Sequence, residues 1–148
     1  MKNKLLFTIS LFLFGIISTN AQEVELNNDS VLLDGKAILK YEKINLAQYS
    51  FFSLVGEEIL FYKFSDNETP KFSSDNYYTL NFLTAKKKIE TKDFSKIVAF
   101  MNTKKSMQKL IQWLLKEKVL EIDGKVNLDR LNAFSEKYNE DNLERTRR

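Results

Sequence analysis

The dipeptide Asp34-Gly35 constrains the fold most, because it joins two apolar segments and is itself a strong turn signal. Both of its residues tolerate the positive φ that the two-residue turn of a β-hairpin requires. Such a turn places Leu33 opposite Lys36 and Leu32 opposite Ala37. Because the residues after the turn largely alternate between apolar and polar, the sequence predicts a half-buried antiparallel hairpin.

The same pattern returns later in the chain in a looser form. The frame Leu-x-Gly-x-x-Ile-Leu-x-Tyr occurs at residues 33–41 and again at 54–62. Val55 stands where the first copy has Asp34, and a β-branched residue disfavours positive φ. The second copy therefore predicts a Gly-first turn at Gly56-Glu57, or a longer turn with this glycine in the left-handed region. Strand periodicity explains every matched position, so we interpret the repeat as two hairpins of one meander rather than a ligand-binding repeat.

The middle of the chain contains a loop, a strand and two less regular stretches. Residues 65–76 are polar and predict a loop. Residues 77–84 alternate and predict a strand. Residues 85–93 are charged and are interpreted as its exposed end or a turn. Residues 94–101 fit helix and strand spacing equally well.

From Thr103 onwards the apolar period becomes helical. Residues 103–118 form one amphipathic helix with Thr103 as N-cap, and residues 127–138 form a second with Asn127 as N-cap. Gly124 lies in the turn between them and is expected to adopt an unusual φ. The residues predicted to face inward are Met107, Leu110, Ile111, Leu114 and Leu115 in the first helix, and Leu128, Leu131, Phe134 and Tyr138 in the second.

Strands followed by helices predict an α+β fold: an antiparallel β-meander of about four to six strands with two C-terminal helices packed on one face. We expect a single domain over residues 22–138, β-rich over 22–92 and helical over 103–138. Residues 139–148 are polar and without periodicity, which predicts a flexible tail.

Residues 1–21 have the pattern of a secretory signal peptide. Lys2 and Lys4 precede the apolar run Leu5–Ile17, and Ala21-Gln22 is a suitable cleavage point. The run is shorter than the roughly 20 residues that span a bilayer. Because the chain has no cysteine, it lacks the residue that carries a bacterial lipid anchor. We therefore predict a periplasmic or secreted protein that is not lipid-anchored.

The composition disfavours most catalytic sites. The chain has no histidine and no cysteine, which removes Ser-His-Asp and Cys-His arrangements and the usual zinc sites. Its four glycines are in no phosphate-loop spacing. The turn at Asp123-Gly124 fits part of a calcium loop, but Val119 and Arg130 stand at its first and last ligand positions. We therefore predict no catalytic residue, no metal site and no cofactor, and leave enzymatic activity uncertain but disfavoured.

The charge balance argues against a nucleic-acid partner. Two of the 23 basic residues lie in the predicted signal peptide, which leaves 21 against 20 acidic residues. A net charge this close to zero gives no general attraction to nucleic acid.

Aromatic residues are too frequent in the predicted strands to lie all on one covered face. Those facing away from the helices would form a protein-binding or sugar-stacking surface, unless long loops cover that face. The leading hypothesis is a non-enzymatic exported interaction module whose partner is an envelope or extracellular protein. The candidate surface residues are Tyr49, Phe51, Phe61, Tyr77 and Trp113.

Two alternatives belong to other functional classes. The lysine-rich helix 103–118 with Trp113 has the character of a membrane-surface binder. We prefer core packing for its apolar stripe, because the sheet needs a cover. A carboxylate-based glycan hydrolase needs two facing acids, but no spacing selects a pair among Glu57, Glu58, Asp66, Asp75, Asp93 and Asp123.

In four features taken together, the chain resembles small exported proteins of Gram-negative bacteria. They are the signal ending near Ala21-Gln22, the "DGKA" hairpin at 34–37, the "GEE" turn at 56–58 and the helix pair around "KVLEIDGKVNLDRLNAFSEKY" at 118–138. The resemblance implies two N-terminal β-hairpins and a C-terminal two-helix unit. That group has no established activity, so the resemblance implies no function.

Overall fold

The computed structural model describes residues 22–66, 76–97 and 102–140. Within these residues, seven strands form one antiparallel sheet in chain order, and two α-helices follow. The α+β class is confirmed, and the strand count exceeds the predicted range. The strands are β1 Val24–Asn27, β2 Ser30–Leu33, β3 Lys36–Asn45, β4 Gln48–Phe52, β5 Glu58–Ser65, β6 Tyr77–Phe82 and β7 Lys87–Thr91. A 3₁₀ turn covers Phe94–Lys96, and the helices are α1 Thr103–Lys116 and α2 Leu128–Tyr138.

Both predicted hairpin turns are present. Asp34 and Gly35 have φ of 50° and 79°, with Leu33 opposite Lys36 as predicted. The second connection is the longer of the two alternatives. Gly56 has a φ of 92°, and its N–H donates to the carbonyl of Ser53 at 3.0 Å.

Two strands were not predicted from the sequence. β1 joins β2 through a tight turn in which Asn28 and Asp29 have φ of 45° and 62°. These are the residue types other than glycine that best tolerate this region. β7 lies in the charged segment interpreted as a strand end or turn, and only Ile89 and Thr91 of its five residues are buried. Its alternation was too short and too charged to be recognised as a strand.

One face of the sheet, called the inner face below, forms the core together with the helices. Buried residues alternate along the strands, and their register aligns Leu26 with Val31, Phe51 with Leu60 and Leu80 with Ile89. The apolar stripes of α1 and α2 belong to the same hydrophobic cluster. The helices lie closest to the two end strands, α1 to β1 and α2 to β7.

The first residues of the helices correct two predictions. The N-cap of α1 is Asn102, not Thr103, because the Asn102 side chain accepts a hydrogen bond from the Lys105 N–H at 2.9 Å. Asn127 is confirmed as the N-cap of α2. Leu128 was predicted to face inward, but it is exposed at the start of the first turn.

Part of the predicted tail is bonded to the sheet edge. The Glu140 N–H donates to the carbonyl of Glu90 at 2.8 Å, and the Glu90 N–H donates to Asn139 Oδ1 at 2.8 Å. One backbone bond and one side-chain bond therefore attach residues 139–140 to the edge of β7. The predicted signal peptide, most of the Pro70 loop, residues 98–101 and residues 141–148 lie outside the described residues.

Candidate functional site: the open edge of β3

The first hairpin covers only the first half of β3. β2 begins at Ser30, which lies opposite Lys40, whereas β3 continues past that point to Asn45. The second half of β3 is paired with β4 on one side only. We call the other side of residues 41–45 the open edge.

The backbone groups that face the open edge follow from one hydrogen bond. The Tyr41 N–H donates to the carbonyl of Asp29 at 2.9 Å. The backbone N–H and C=O of Tyr41 therefore point away from β4. Because the direction of these groups alternates along a strand, Lys43 faces the same way, and Glu42 faces β4. Among the described residues the Lys43 N–H and C=O have no backbone partner on this side.

A groove of about 670 Å³ runs along this edge. Asp29 of the turn before β2 and Lys104 of α1 line it. Tyr41, Lys43 and Tyr49 line it from the inner face. Lys40, Glu42 and Phe52 line it from the opposite, outer face of the sheet.

Tyr49 fixes the start of α1 against the groove. Its ring is buried, and its hydroxyl donates to Thr103 Oγ1 at 3.1 Å. Lys43 Nζ lies 6.0 Å from the centre of the same ring, at the limit of a cation–π contact. The Tyr49 side chain therefore contacts residues of both β3 and α1 beside the open edge.

The groove contains more positive than negative side chains. It is lined by three lysines and two acids, namely Lys40, Lys43, Lys104, Asp29 and Glu42. The first turn of α1 has no acidic residue to offset the positive end of its dipole.

The Tyr41 phenol is a neutral hydrogen-bond donor at physiological pH. Burial raises its pKa above the ordinary value, and the negative charge of Asp29 and the nearby Tyr49 raise it further. The phenol therefore adds no negative charge to the groove.

Apolar side chains stand at the far end of the open edge. Ile44 is 49 % exposed and Leu46 is 74 % exposed. Exposed large apolar residues beside an unpaired strand edge are a feature that natural proteins usually avoid. Neither residue lines the groove, but both lie close to it along the chain.

The five predicted surface residues do not form one surface. Tyr49, Phe51 and Trp113 are buried in the core, which rules them out as an exposed patch. Phe61 and Tyr77 lie on the outer face and are partly exposed. A binding role for these two stays a prediction, and of the five only Tyr49 lines the groove.

Trp113 belongs to a ring cluster that joins the two helices. Its ring centre lies 4.7 Å from that of Phe134 and 4.8 Å from that of Tyr138. Leu110 and Leu114 on the same helix are buried, so the core-packing interpretation of the stripe is confirmed. In the part of the chain that the structure describes, no helix has the length and apolar character to cross a membrane.

Of the candidate acids, Asp75 lies outside the described residues, and two of the others have partners of their own. Glu58 accepts a hydrogen bond from the Ser50 hydroxyl at 2.7 Å, and Asp123 pairs with Lys125 at 2.9 Å on the surface. The two acids of the groove, Asp29 and Glu42, were not among the candidates. Over residues 22–66, 76–97 and 102–140, no group of three His, Cys, Asp or Glu side chains is arranged to hold a metal ion.

The open edge was not predicted, although the sequence carries a signal for it. Asn28-Asp29 is a second turn dipeptide close before Asp34-Gly35. The strand between the two turns is therefore short, while the pattern after Asp34-Gly35 continues to Asn45. Because the two strands of this hairpin differ in length, the longer strand is left without a partner on that side beyond the end of the shorter one.

No family model, curated protein or solved structure matches the chain significantly. The meander followed by two helices agrees with the layout that the resemblance implies. The exported bacterial identity stays a prediction.

Proposed function

We propose that this chain is a non-enzymatic exported interaction module that binds an extended segment of a partner protein along the open edge of β3. The observation that carries the proposal is the Lys43 backbone, whose N–H and C=O face a groove and have no backbone partner there among the described residues. Extended peptides add to sheet edges of this kind, and main-chain hydrogen bonds supply much of the affinity.

The open edge suits a short segment. Residues 41–45 span about 13 Å from the first Cα atom to the last, at about 3.3 Å per residue. The bound strand would continue the line of β2, from the turn at Asp29 past α1. Its side chains would alternate between the inner face, next to Lys43 and Lys104, and the outer face, next to Phe52.

This proposal keeps the interaction role predicted from the sequence and changes the surface that performs it. Phe52 takes the place of Tyr49 and Phe51 as the strand aromatic available for contact, because it lies on the outer face and lines the groove. Export stays part of the proposal through the predicted signal peptide, so the partner is an envelope or extracellular protein.

A selection from a displayed library of random peptides tests the proposal, with the mature protein as bait. The discriminating variant is Lys43→Pro, since proline removes the N–H that faces the open edge and leaves the bonds to β4 intact. Lys43→Ala is the matched control, because it also removes the charge but keeps the N–H. We expect enriched peptides that bind the wild type and Lys43→Ala but not Lys43→Pro.

Circular dichroism and urea unfolding establish that both variants are folded. Enriched peptides that bind Lys43→Pro as tightly as Lys43→Ala would contradict the proposal, because binding would then not use the edge.

A further inference from the structure

We infer that the segment bound at the open edge carries acidic side chains at alternate positions, and that a second copy of this chain is excluded from the edge. This inference rests on the proposed function and specifies its ligand. It follows from the charges on the two sides of the edge and from the registers that a strand pair allows.

The inner side of the edge selects acidic side chains. Lys43 is on β3 and Lys104 is on α1, and both line the groove. Asp29, whose charge acts on the inner-face residue Tyr41, lines it as well, so the two lysines leave this side with a net positive charge. Neither lysine has an ion pair among the described residues. Side chains of the bound strand that point inward would lie between these two cations. A carboxylate there would form charge-assisted hydrogen bonds with the lysines, which are shorter and stronger than hydrogen bonds between neutral groups. Their attraction is also stronger in a partly enclosed groove than in bulk water.

The outer side of the edge selects differently. Lys40 and Glu42 are neighbours on this face and carry opposite charges. Phe52 lies opposite Lys40, and Ile44 is exposed beyond Glu42. The side has no net charge and offers apolar surface, so apolar side chains of the bound strand fit it best. The preferred segment therefore alternates acidic and apolar residues.

A second copy of the chain meets like charges at this edge. Two copies related by a two-fold axis pair antiparallel, and residues that face the edge must lie opposite residues that also face it. A two-fold axis through Lys43 places the Lys43 side chains of the two copies opposite each other. A two-fold axis through Glu42 places the two Glu42 side chains opposite each other. Like charges directly opposite are destabilising.

The remaining register is short. An axis through Ile44 would place Lys43 opposite Asn45, but the register of β3 shifts between these two residues and the chain turns away at Leu46, so no regular pairing continues there. An axis through Tyr41 is blocked, because Asp29 already occupies the Tyr41 N–H. The edge is therefore protected against self-association and open to an acidic partner, which is how natural proteins manage exposed edges.

Three labelled nine-residue peptides test the ligand class by fluorescence anisotropy. The first alternates Glu and Val, the second has the same composition in two blocks, and the third alternates Lys and Val. We expect the alternating acidic peptide to bind at least about tenfold more tightly than the other two, with an affinity that falls as salt increases.

Two charge reversals locate the effect. Lys43→Glu should weaken binding of the alternating acidic peptide by about tenfold or more, because it replaces attraction by repulsion on the inner side. Lys63→Glu is the matched control: Lys63 is an exposed lysine of β5 outside the groove. We expect it to change the affinity by less than about twofold.

The outcomes separate the inference from the function on which it rests. Equal binding of the acidic and basic alternating peptides, both lost in Lys43→Pro, would overturn the inference and leave the proposed function standing. Absence of any binding sensitive to Lys43→Pro would remove both. Sedimentation of the free protein tests the second half: we expect a monomer, and a dimer that Lys43→Pro dissociates would overturn the exclusion of a second copy.

Discussion

Gly124 is the residue at which the turn between the helices touches the sheet. Its φ is 83°, and a Cβ atom at this position would overlap the carbonyl oxygen of Ile38 on β3. Glycine is therefore required here for two reasons: the positive φ, and the lack of room for a Cβ atom. The sequence predicted the unusual φ, but not the contact, because nothing local to Gly124 indicates that β3 passes beside it.

We predict that Gly124→Ala destabilises the fold more than Gly56→Ala. Gly56 has a φ of 92°, and a methyl group there would have no neighbouring atom within 4 Å, so alanine costs only the conformational penalty of about 1–2 kcal/mol. Gly124→Ala adds a clash with backbone, for a further loss of about 1–3 kcal/mol. Urea unfolding of both variants gives the comparison, and equal losses would show that the turn does not press on β3.

The Tyr62 phenol makes the stability of the fold depend on pH in the alkaline range. Burial, and to a smaller extent the nearby Tyr49, raise the pKa of the Tyr62 phenol to about 12 from its ordinary value of 10.0. Burial also raises the pKa of Tyr78. Between pH 10 and about pH 12 the unfolded chain loses the Tyr62 phenol proton while the folded chain keeps it. The stabilisation is therefore complete below pH 10 and is lost as the pH rises through about 12.

The predicted slope is a loss of up to about 1.4 kcal/mol per pH unit for each such phenol. Lysine side chains also lose protons in this pH range. The slope of the unfolding free energy against pH in Tyr62→Phe is therefore compared with the slope in the wild type. We expect the unfolding free energy of Tyr62→Phe to fall less steeply above pH 10. Parallel slopes for the two proteins would mean that the folded phenol titrates normally.

At the scale of elements, helix α1 supplies the cover that the inner face of the sheet needs. Met107, Leu110, Ile111, Trp113 and Leu114 are buried along one stripe. The helical period in the sequence was long and regular enough to predict both helices and nearly all of these positions. Short elements were harder: β1 and β7 have only four and five residues, too few to establish a period.

We predict that Leu114→Ala destabilises the protein by about 2–5 kcal/mol, because it removes a fully buried side chain and leaves a cavity. Gln112→Ala is the matched control on the exposed side of the same helix, and we expect a change within about 0.5 kcal/mol. Unfolding with urea measures both. Wild-type stability in Leu114→Ala would show that the stripe does not cover the sheet in solution.

At the scale of the whole molecule, the fold follows from the sequence more readily than the site does. Turn dipeptides and the change from a two-residue to a helical period predict the order of layers. The candidate site arises from a difference in length between neighbouring strands, since β2 begins only at Ser30, opposite Lys40, while β3 continues to Asn45. Such a mismatch depends on strand register, and the position of Lys104 beside it depends on how α1 crosses the sheet. Neither is encoded within a single segment.

Amide hydrogen exchange of the free protein, resolved by residue, tests the open edge most directly. Tyr41 donates to Asp29 and Glu42 faces β4, so both amides should be protected as native strand amides are. The Lys43 amide should exchange at within about tenfold of the rate of an unstructured peptide, because it faces the groove. Protection of Lys43 equal to that of Glu42 would mean that the edge is already paired, and it would contradict the account.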